Sequence, residues 1–316
     1  MKILISEVIW QEGVDELERQ GYEVEYDEQL AQDRGKLLEK VKDVDALIIR
    51  NQTQVDEELL QASSKLKVIG RLGVGLDNIK VEAAKQKGVQ VVYAKNANAT
   101  SVAEYVMNAV LSSNRSISDA DGDVHKGRWD RTMHTGGEVY GKTIGLVGLG
   151  EIAHRVAKRA HAFGMNVVGY DPFITDYDHV IAETGVEAKS TLEEMLELSD
   201  FVSVHVPLNP STKNLMGLEE FKAMKSNAYI INTSRGGIIN ESDLVEALYK
   251  QHIAGAYLDV LESEPVIRDH PLLSYSNVVI TPHIAGLTKE SQIRTSILVT
   301  KEVTKVLKGN PSLCIV

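Results

Sequence analysis

The sequence predicts an α/β protein of two doubly wound parallel-sheet domains, and three observations carry that reading. Short β-rich runs alternate with helical patterns along nearly the whole chain, the rhythm of parallel strands joined by crossover helices. The 316 residues are about twice the length of one ordinary domain. A long helical stretch and a polar segment interrupt the alternation once, after roughly the first third.

The first series of strands is read from Lys2 to Glu7, Glu23 to Tyr26, Ala46 to Arg50, Lys67 to Arg71 and Val89 to Ala94. Gln20-Gly21 and Lys87-Gly88 each stand just before a strand, where a helix can end on a left-handed glycine and the chain re-enter the sheet. These five strands close a domain near residue 98. A helix follows Asn98-Ala99-Thr100-Ser101, with Val102, Tyr105, Val106, Ala109, Val110 and Ser113 spaced along one buried face. Asp119 to Gly141 reads as a polar, glycine-containing connection. The second series runs Thr143 to Val147, Asn166 to Tyr170, Phe201 to Val206, Tyr229 to Thr233, Gly255 to Val260 and Asn277 to Thr281, six strands in the doubly wound pattern. The closing helix, Lys289 to Leu307, has no strand after it in that series and is expected to return to the first domain. The expected domains are therefore 1–98 with 289–316, and 99–288.

Composition narrows the function. With 34 Lys and Arg against 45 Asp and Glu, the net charge of −11 has the wrong sign for a broad nucleic-acid footprint. The single cysteine, Cys314, can build neither a disulfide framework nor a multi-cysteine metal site, so no metal is expected and a reducing cytoplasm is the natural setting. No apolar run is long enough to span a bilayer, and the start of the chain is too short and too soon polar for a signal peptide.

Gly145-Leu146-Val147-Gly148-Leu149-Gly150-Glu151-Ile152-Ala153 runs a hydrophobic strand into Gly-x-Gly-x-x-Ala and then into a helix. In that context the pattern is a dinucleotide fingerprint: Gly148 allows the tight turn, Gly150 lets backbone approach a pyrophosphate, and Ala153 lets helix pack on strand. The helix N-terminus offers unpaired N–H groups to phosphate. The next strand ends at Asp171, 21 residues after Gly150, where a carboxylate can accept both hydroxyls of a ribose. It would meet a 2′-phosphate with no guanidinium beside it, which favours NAD over NADP.

Ligands of open α/β sheets sit beyond the carboxyl ends of the strands. There the second series places His205-Val206-Pro207, Asn232-Thr233-Ser234-Arg235-Gly236-Gly237, Asp259 with Glu262-Ser263-Glu264, and Thr281-Pro282-His283. An arginine, a carboxylate and a histidine thus come from three strand ends. Ser234 lacks a Gly-x-Ser-x-Gly elbow, which argues against a serine hydrolase.

With these motifs the chain resembles the NAD-dependent D-2-hydroxyacid dehydrogenases over essentially its whole length. Arg71-Leu72-Gly73-Val74-Gly75-Leu76-Asp77-Asn78-Ile79 resembles the family's substrate-carboxylate loop, and Asn98-Ala99-Thr100-Ser101-Val102-Ala103-Glu104 its first interdomain hinge. Ala153 in place of the commonest third glycine and Ala94-Lys95 in place of the usual Thr-Pro depart from the pattern. The resemblance implies a flavodoxin-like substrate domain and a Rossmann cofactor domain, with Arg235, Glu264 and His283 catalytic. It implies a cofactor surface of Gly148, Gly150, Glu151, Ile152, Asp171, His205, Val206, Pro207, Thr212, Thr233, Ser234, Arg235, Asp259, His283 and Gly286. It also implies a substrate surface including Gly73, Val74, Gly75 and Asn98, and a homodimer through the cofactor domains.

Arg50, Arg71 and Arg131 exceed the needs of one substrate carboxylate and suggest a second anion. Arg50 and Arg71 resemble the phosphate-side arginines of 3-phosphoglycerate dehydrogenases, while Ile49 to Val55 and Ile5-Ser6-Glu7 look closer to the sulfolactate dehydrogenase branch. The expected substrate is a three-carbon acid with a second anionic group. Two alternatives stay open: a dehydrogenase of a simple 2-keto acid such as hydroxypyruvate or glyoxylate, and a non-catalytic NAD(H)-sensing protein.

Overall fold

Strands buried on both faces carry apolar residues at consecutive positions, and the central strands of both sheets of this chain are such runs. The computed structural model describes residues 1–175 and 177–316. It divides into two compact units, Met1–Asn98 with Leu287–Val316, and Ala99–Gly286.

The first unit runs β1 (Lys2–Ile5), α1 (Gln11–Arg19), β2 (Glu23–Tyr26), α2 (Arg34–Lys40), β3 (Ala46–Ile49), α3 (Glu57–Ala62), β4 (Val68–Arg71), α4 (Val81–Gln86) and β5 (Gln90–Tyr93). All pairs are parallel, in the order β2-β1-β3-β4-β5. Alternate residues enter two cores. Ile3, Ile5, Ala46, Ile48, Val68 and Val92 pack with Val14 and Leu17 of α1 on one face. Leu4, Leu47, Ile49, Ile69 and Val91 pack with Leu37, Leu59, Leu60 and Ala84 on the other. Strand order reverses between β1 and β3, so the loops leaving those strands frame the position where such sheets bind ligands.

The second unit runs α5 (Ala99–Asn114), α6 (Ile117–His125), β6 (Thr143–Val147), α7 (Glu151–Ala162), β7 (Asn166–Tyr170), α8 (His179–Thr184), β8 (Glu187–Ala188), α9 (Leu192–Leu198), β9 (Phe201–Val204), α10 (Leu218–Ala223), β10 (Tyr229–Asn232), α11 (Glu241–Tyr249), β11 (Gly255–Leu258) and β12 (Val278–Ile280). The sheet is parallel, in the order β12-β11-β10-β9-β6-β7-β8, and reverses between β6 and β9. The sequence gives six strands for this sheet and the structure seven. The additional β8 is two exposed residues at the sheet edge, too short and too polar to show a strand period. The stretch read as connection from Asp119 also holds most of α6. Its sequence ISDADGDVH has no broad apolar face, but the Ser116 side chain caps it by accepting from the Asp119 amide.

After β12 the chain forms α12 (Lys289–Leu307), which packs in the first unit against α1, β4 and β5. Gly70 of β4 permits that approach: a Cβ there would lie 2.6 Å from Val303 and 2.8 Å from Val299. The residues after α12 return to β5, where the Tyr93 amide donates to the Cys314 carbonyl.

Candidate active site

In the second unit, β6 ends in the glycine turn. Gly148 has φ +88°, and a Cβ on it would lie 2.7 Å from Val206 and 2.9 Å from the His205 carbonyl, so only glycine fits. Gly150 differs: its φ is −85°, and a Cβ there would point into open space. The protein's own packing does not demand glycine at 150. Asp171, half-buried after β7, accepts from the Leu149 amide at 2.9 Å and the Phe173 amide at 2.9 Å, which ties its carboxylate to the turn. Glu151 pairs with Arg155 one helical turn on, Ile152 is half-buried beside it, and Ala153 is fully buried on the inner face of α7.

Across the switch point, His205 follows β9, and its amide donates to the Val147 carbonyl. Both its ring nitrogens are shielded and unpartnered among the described residues, and burial pushes the imidazole down to about 4, so the ring is neutral. The Thr233 hydroxyl after β10 is likewise buried without a partner. Val206 is half-buried and Pro207 exposed. The Thr212 hydroxyl is spent inside its own loop, donating to the Pro207 carbonyl and accepting from the Asn209 amide. The Ser234 hydroxyl donates to the Val204 carbonyl, a structural role.

Arg235 leads out of β10 in a turn held by Asn232, whose side chain donates to the Arg235 carbonyl and accepts from the Ser234 amide. Gly236 is required there, because a Cβ would lie 1.8 Å from the Leu261 carbonyl. Glu264 Oε1 accepts from the Leu261 amide, and its Oε2 lies 2.9 Å from His283 Nδ1. Their side chains are 39% and 49% exposed, so the contact orients the ring more than it stabilises the fold. With Nδ1 turned to the carboxylate, Nε2 is left for a reacting group.

His283 sits at φ +56°, a left-handed conformation that costs a non-glycine residue energy. Asp259 holds it there. The buried Asp259 carboxylate accepts from the Thr281 hydroxyl at 2.6 Å, the Ile284 amide at 2.8 Å and the Ala285 amide at 2.7 Å. The His283 amide donates to the Asp259 carbonyl at 2.9 Å. Both Asp259 oxygens are thus engaged with the loop on either side of His283. Gly286 closes the unit.

In the first unit, Arg50 and Arg71 end β3 and β4. Glu7, beyond β1, is buried and accepts from four successive amides, Arg50, Asn51, Gln52 and Thr53, at 2.8 to 3.1 Å. Asn78 completes the clamp by donating to the Arg50 and Thr53 carbonyls. The half-buried Arg50 guanidinium has no hydrogen-bonding partner among the described residues, and burial pushes it below its ordinary value against the opposing charge of Glu7. Arg71 is buried and donates to the Leu72 carbonyl. The Gly73 amide is used within the loop, donating to the Arg71 carbonyl, whereas the Val74 and Gly75 amides have no acceptor among the described residues. Asn98, half-buried, ends the segment. Arg131 lies on an exposed turn of the second unit beside Thr132, His134 and Thr135.

The NAD binding domain model of the D-isomer specific 2-hydroxyacid dehydrogenases matches residues 107–285, more than half of the chain. The chain belongs to the D-isomer specific 2-hydroxyacid dehydrogenase family. Among its relatives, the D-3-phosphoglycerate dehydrogenase of Methanocaldococcus jannaschii is 44% identical over 98% of this chain and 58% of that protein. The (S)-sulfolactate dehydrogenase of Chromohalobacter salexigens is 42% identical over 96% of this chain and 98% of that protein. This dehydrogenase-family chain therefore spans little more than half the length of the phosphoglycerate dehydrogenases it matches. A crystal structure from Thermus thermophilus superposes with a TM-score of 0.90 at 32% identity, covering both chains completely. An acyclic imino acid reductase solved with NADPH and D-arginine superposes with a TM-score of 0.87 at 27% identity.

The second unit fits the family's NAD. The space over Gly150 that its own packing leaves open, the N-terminus of α7, and the unpartnered Thr233 hydroxyl and His205 ring nitrogens supply a cradle and donors that the protein does not use itself. Glu7 and Tyr105 are given no site role in the sequence and Thr281 stands there only as part of a strand end, although the structure places each in a polar contact with a site loop or its anchor. Among the described residues no helix is long and apolar enough to cross a membrane.

Proposed function

We propose that this chain is an NAD-dependent dehydrogenase of a three-carbon 2-hydroxy acid that bears a second anionic group, of the sulfolactate or 3-phosphoglycerate kind. The observation that carries the reaction class is the His283–Glu264 pair at the strand ends of a unit that opens on a dinucleotide turn. Bound NAD supplies the hydride acceptor, or NADH the donor. When the keto acid is reduced, His283 Nε2 donates a proton to the carbonyl oxygen while Glu264 holds the ring and balances its charge. Arg235 grips the substrate carboxylate as a two-pronged donor and polarises the adjacent carbonyl. The amides of Val74 and Gly75 in the first unit are suited to holding a substrate carboxylate. Asp171 takes the ribose hydroxyls and selects NAD over NADP.

The second anion is proposed from Arg50. A half-buried guanidinium without a hydrogen-bonding partner among the described residues is costly unless a ligand completes it. Arg71, at the end of the neighbouring strand of the same unit, adds to the positive charge. The relatives named as phosphoglycerate and sulfolactate dehydrogenases agree with this choice of substrate. Cytoplasmic residence and a homodimer complete the proposal. The exposed Ile117, Trp129, Met133 and Tyr140 of the second unit support an interface with a second copy.

An NADH-oxidation screen tests the reading. The 2-keto acids matching sulfolactate and 3-phosphoglycerate should react best, and NADH should outperform NADPH. Equal efficiency with pyruvate or glyoxylate would remove the second anion from the proposal. Tight NADH binding without turnover on any acid would favour the sensing protein instead.

A further inference from the structure

The Asp259 clamp does not end at Thr281. The Tyr105 hydroxyl, on α5, lies 2.6 Å from Thr281 Oγ1, which lies 2.6 Å from Asp259 Oδ1. Donor directions follow from counting protons. A carboxylate only accepts, so the single hydroxyl proton of Thr281 goes to Asp259, and its oxygen is then left to accept from the phenol. Burial pushes the Tyr105 phenol above its ordinary value, which keeps it a donor across neutral pH. The helical spacing of α5 places Tyr105 among apolar positions, where packing alone would be served as well by phenylalanine. The hydroxyl therefore calls for a separate explanation.

The geometry points to Tyr105 as a positioning residue for His283, acting through Thr281 and Asp259. Thr281 stands two residues before His283, and the Asp259 carboxylate grips the two residues after it. The strained backbone at His283 is thereby fixed on both sides, and the outer end of the chain of hydrogen bonds is anchored on a sixteen-residue helix rather than on another loop. Tyr105 touches none of the reacting groups; it sets the direction in which the Thr281 hydroxyl points. The catalytic consequence rests on the role proposed above for His283.

The test is a set of variants, Tyr105→Phe, Thr281→Val and both together, with Thr281→Ser as the conservative control. Each single change should lower kcat roughly 2- to 10-fold, the worth of one hydrogen bond, and leave the KM for NADH unchanged. The double variant should be no worse than the poorer single one, because the two residues act in series. Thr281→Ser should restore kcat. Independently of activity, the imidazole NMR signals of His283, identified by their loss in His283→Ala, should shift in Tyr105→Phe without cofactor. Unchanged kcat and unshifted signals in Tyr105→Phe, strictly additive losses, or losses that simply follow a falling Tm would each overturn the relay. Should the unmutated protein oxidise no NADH, the dehydrogenase reading fails, and the His283 signals still decide the relay.

Discussion

Glu7 in the first unit and Asp259 in the second do similar work with different outcomes. Each is a buried carboxylate just beyond a strand, and each grips backbone amides of a loop that presents a basic side chain, Arg50 in one case and His283 in the other. Glu7 takes four amides in succession and so organises a loop with no left-handed residue in it. Asp259 takes two amides and a hydroxyl, brackets a residue at φ +56°, and is itself held through Thr281 by Tyr105. A relaxed loop needs one counter-charge. A strained one needs an anchor that is anchored in turn. The difference fits the proposed tasks, since a guanidinium that attracts a second anion tolerates some freedom, whereas a proton donor must meet a carbonyl oxygen at hydrogen-bond distance.

Asp259→Asn should have the larger effect. The amide can accept on only one side, so it leaves the buried Ala285 amide, or the Thr281 and Ile284 donors, without an acceptor, at about 1–3 kcal/mol for each buried group left unpaired. Urea unfolding should show that loss, and kcat should fall by roughly 10- to 100-fold for mono- and dianionic substrates alike, as about 1.4 kcal/mol is a factor of ten. An effect confined to one substrate class would break the comparison.

Glu7→Gln should cost less, about 1 kcal/mol, because the amides it would abandon at Asn51 and Gln52 belong to exposed residues that water can reach. Its kinetic signature should differ in kind: a raised KM for the dianionic keto acid, an unchanged kcat, and no change for pyruvate. Equal losses on both substrates would show that Glu7 holds the unit together rather than presenting Arg50.

The strands were legible because a parallel strand covered on both faces is a continuous apolar run, and the glycine turn was legible because its spacing follows from backbone geometry. β8 was not, since Glu187-Ala188 is a charged edge fragment with no period. α6 was hidden by polar composition, its start marked only by one serine cap. Arg235, Glu264, His283 and Asp259 stood out as polar residues at strand ends. The positive φ of His283 left no trace, because a histidine in that conformation has no sequence signature. Glu7 was equally hidden: its partners are backbone amides more than 40 residues away, which no pattern of side chains records. Tyr105 was read by its aromatic ring, while the structure gives its hydroxyl a partner as well.

The substrate proposal is tested most directly by measuring kcat/KM of Arg50→Ala on pyruvate and on the keto acid with a second anion. Losing a charged hydrogen bond is worth about 1.5–3 kcal/mol, so efficiency on the dianionic acid should fall roughly 10- to 100-fold. Pyruvate should be a poor substrate from the start and nearly indifferent to the change. Added salt should weaken the dianionic substrate more than pyruvate in the unmutated protein. Equal losses on the two acids would contradict the account, placing Arg50 on the loop or on the shared carboxylate and leaving a simple 2-keto acid as the substrate.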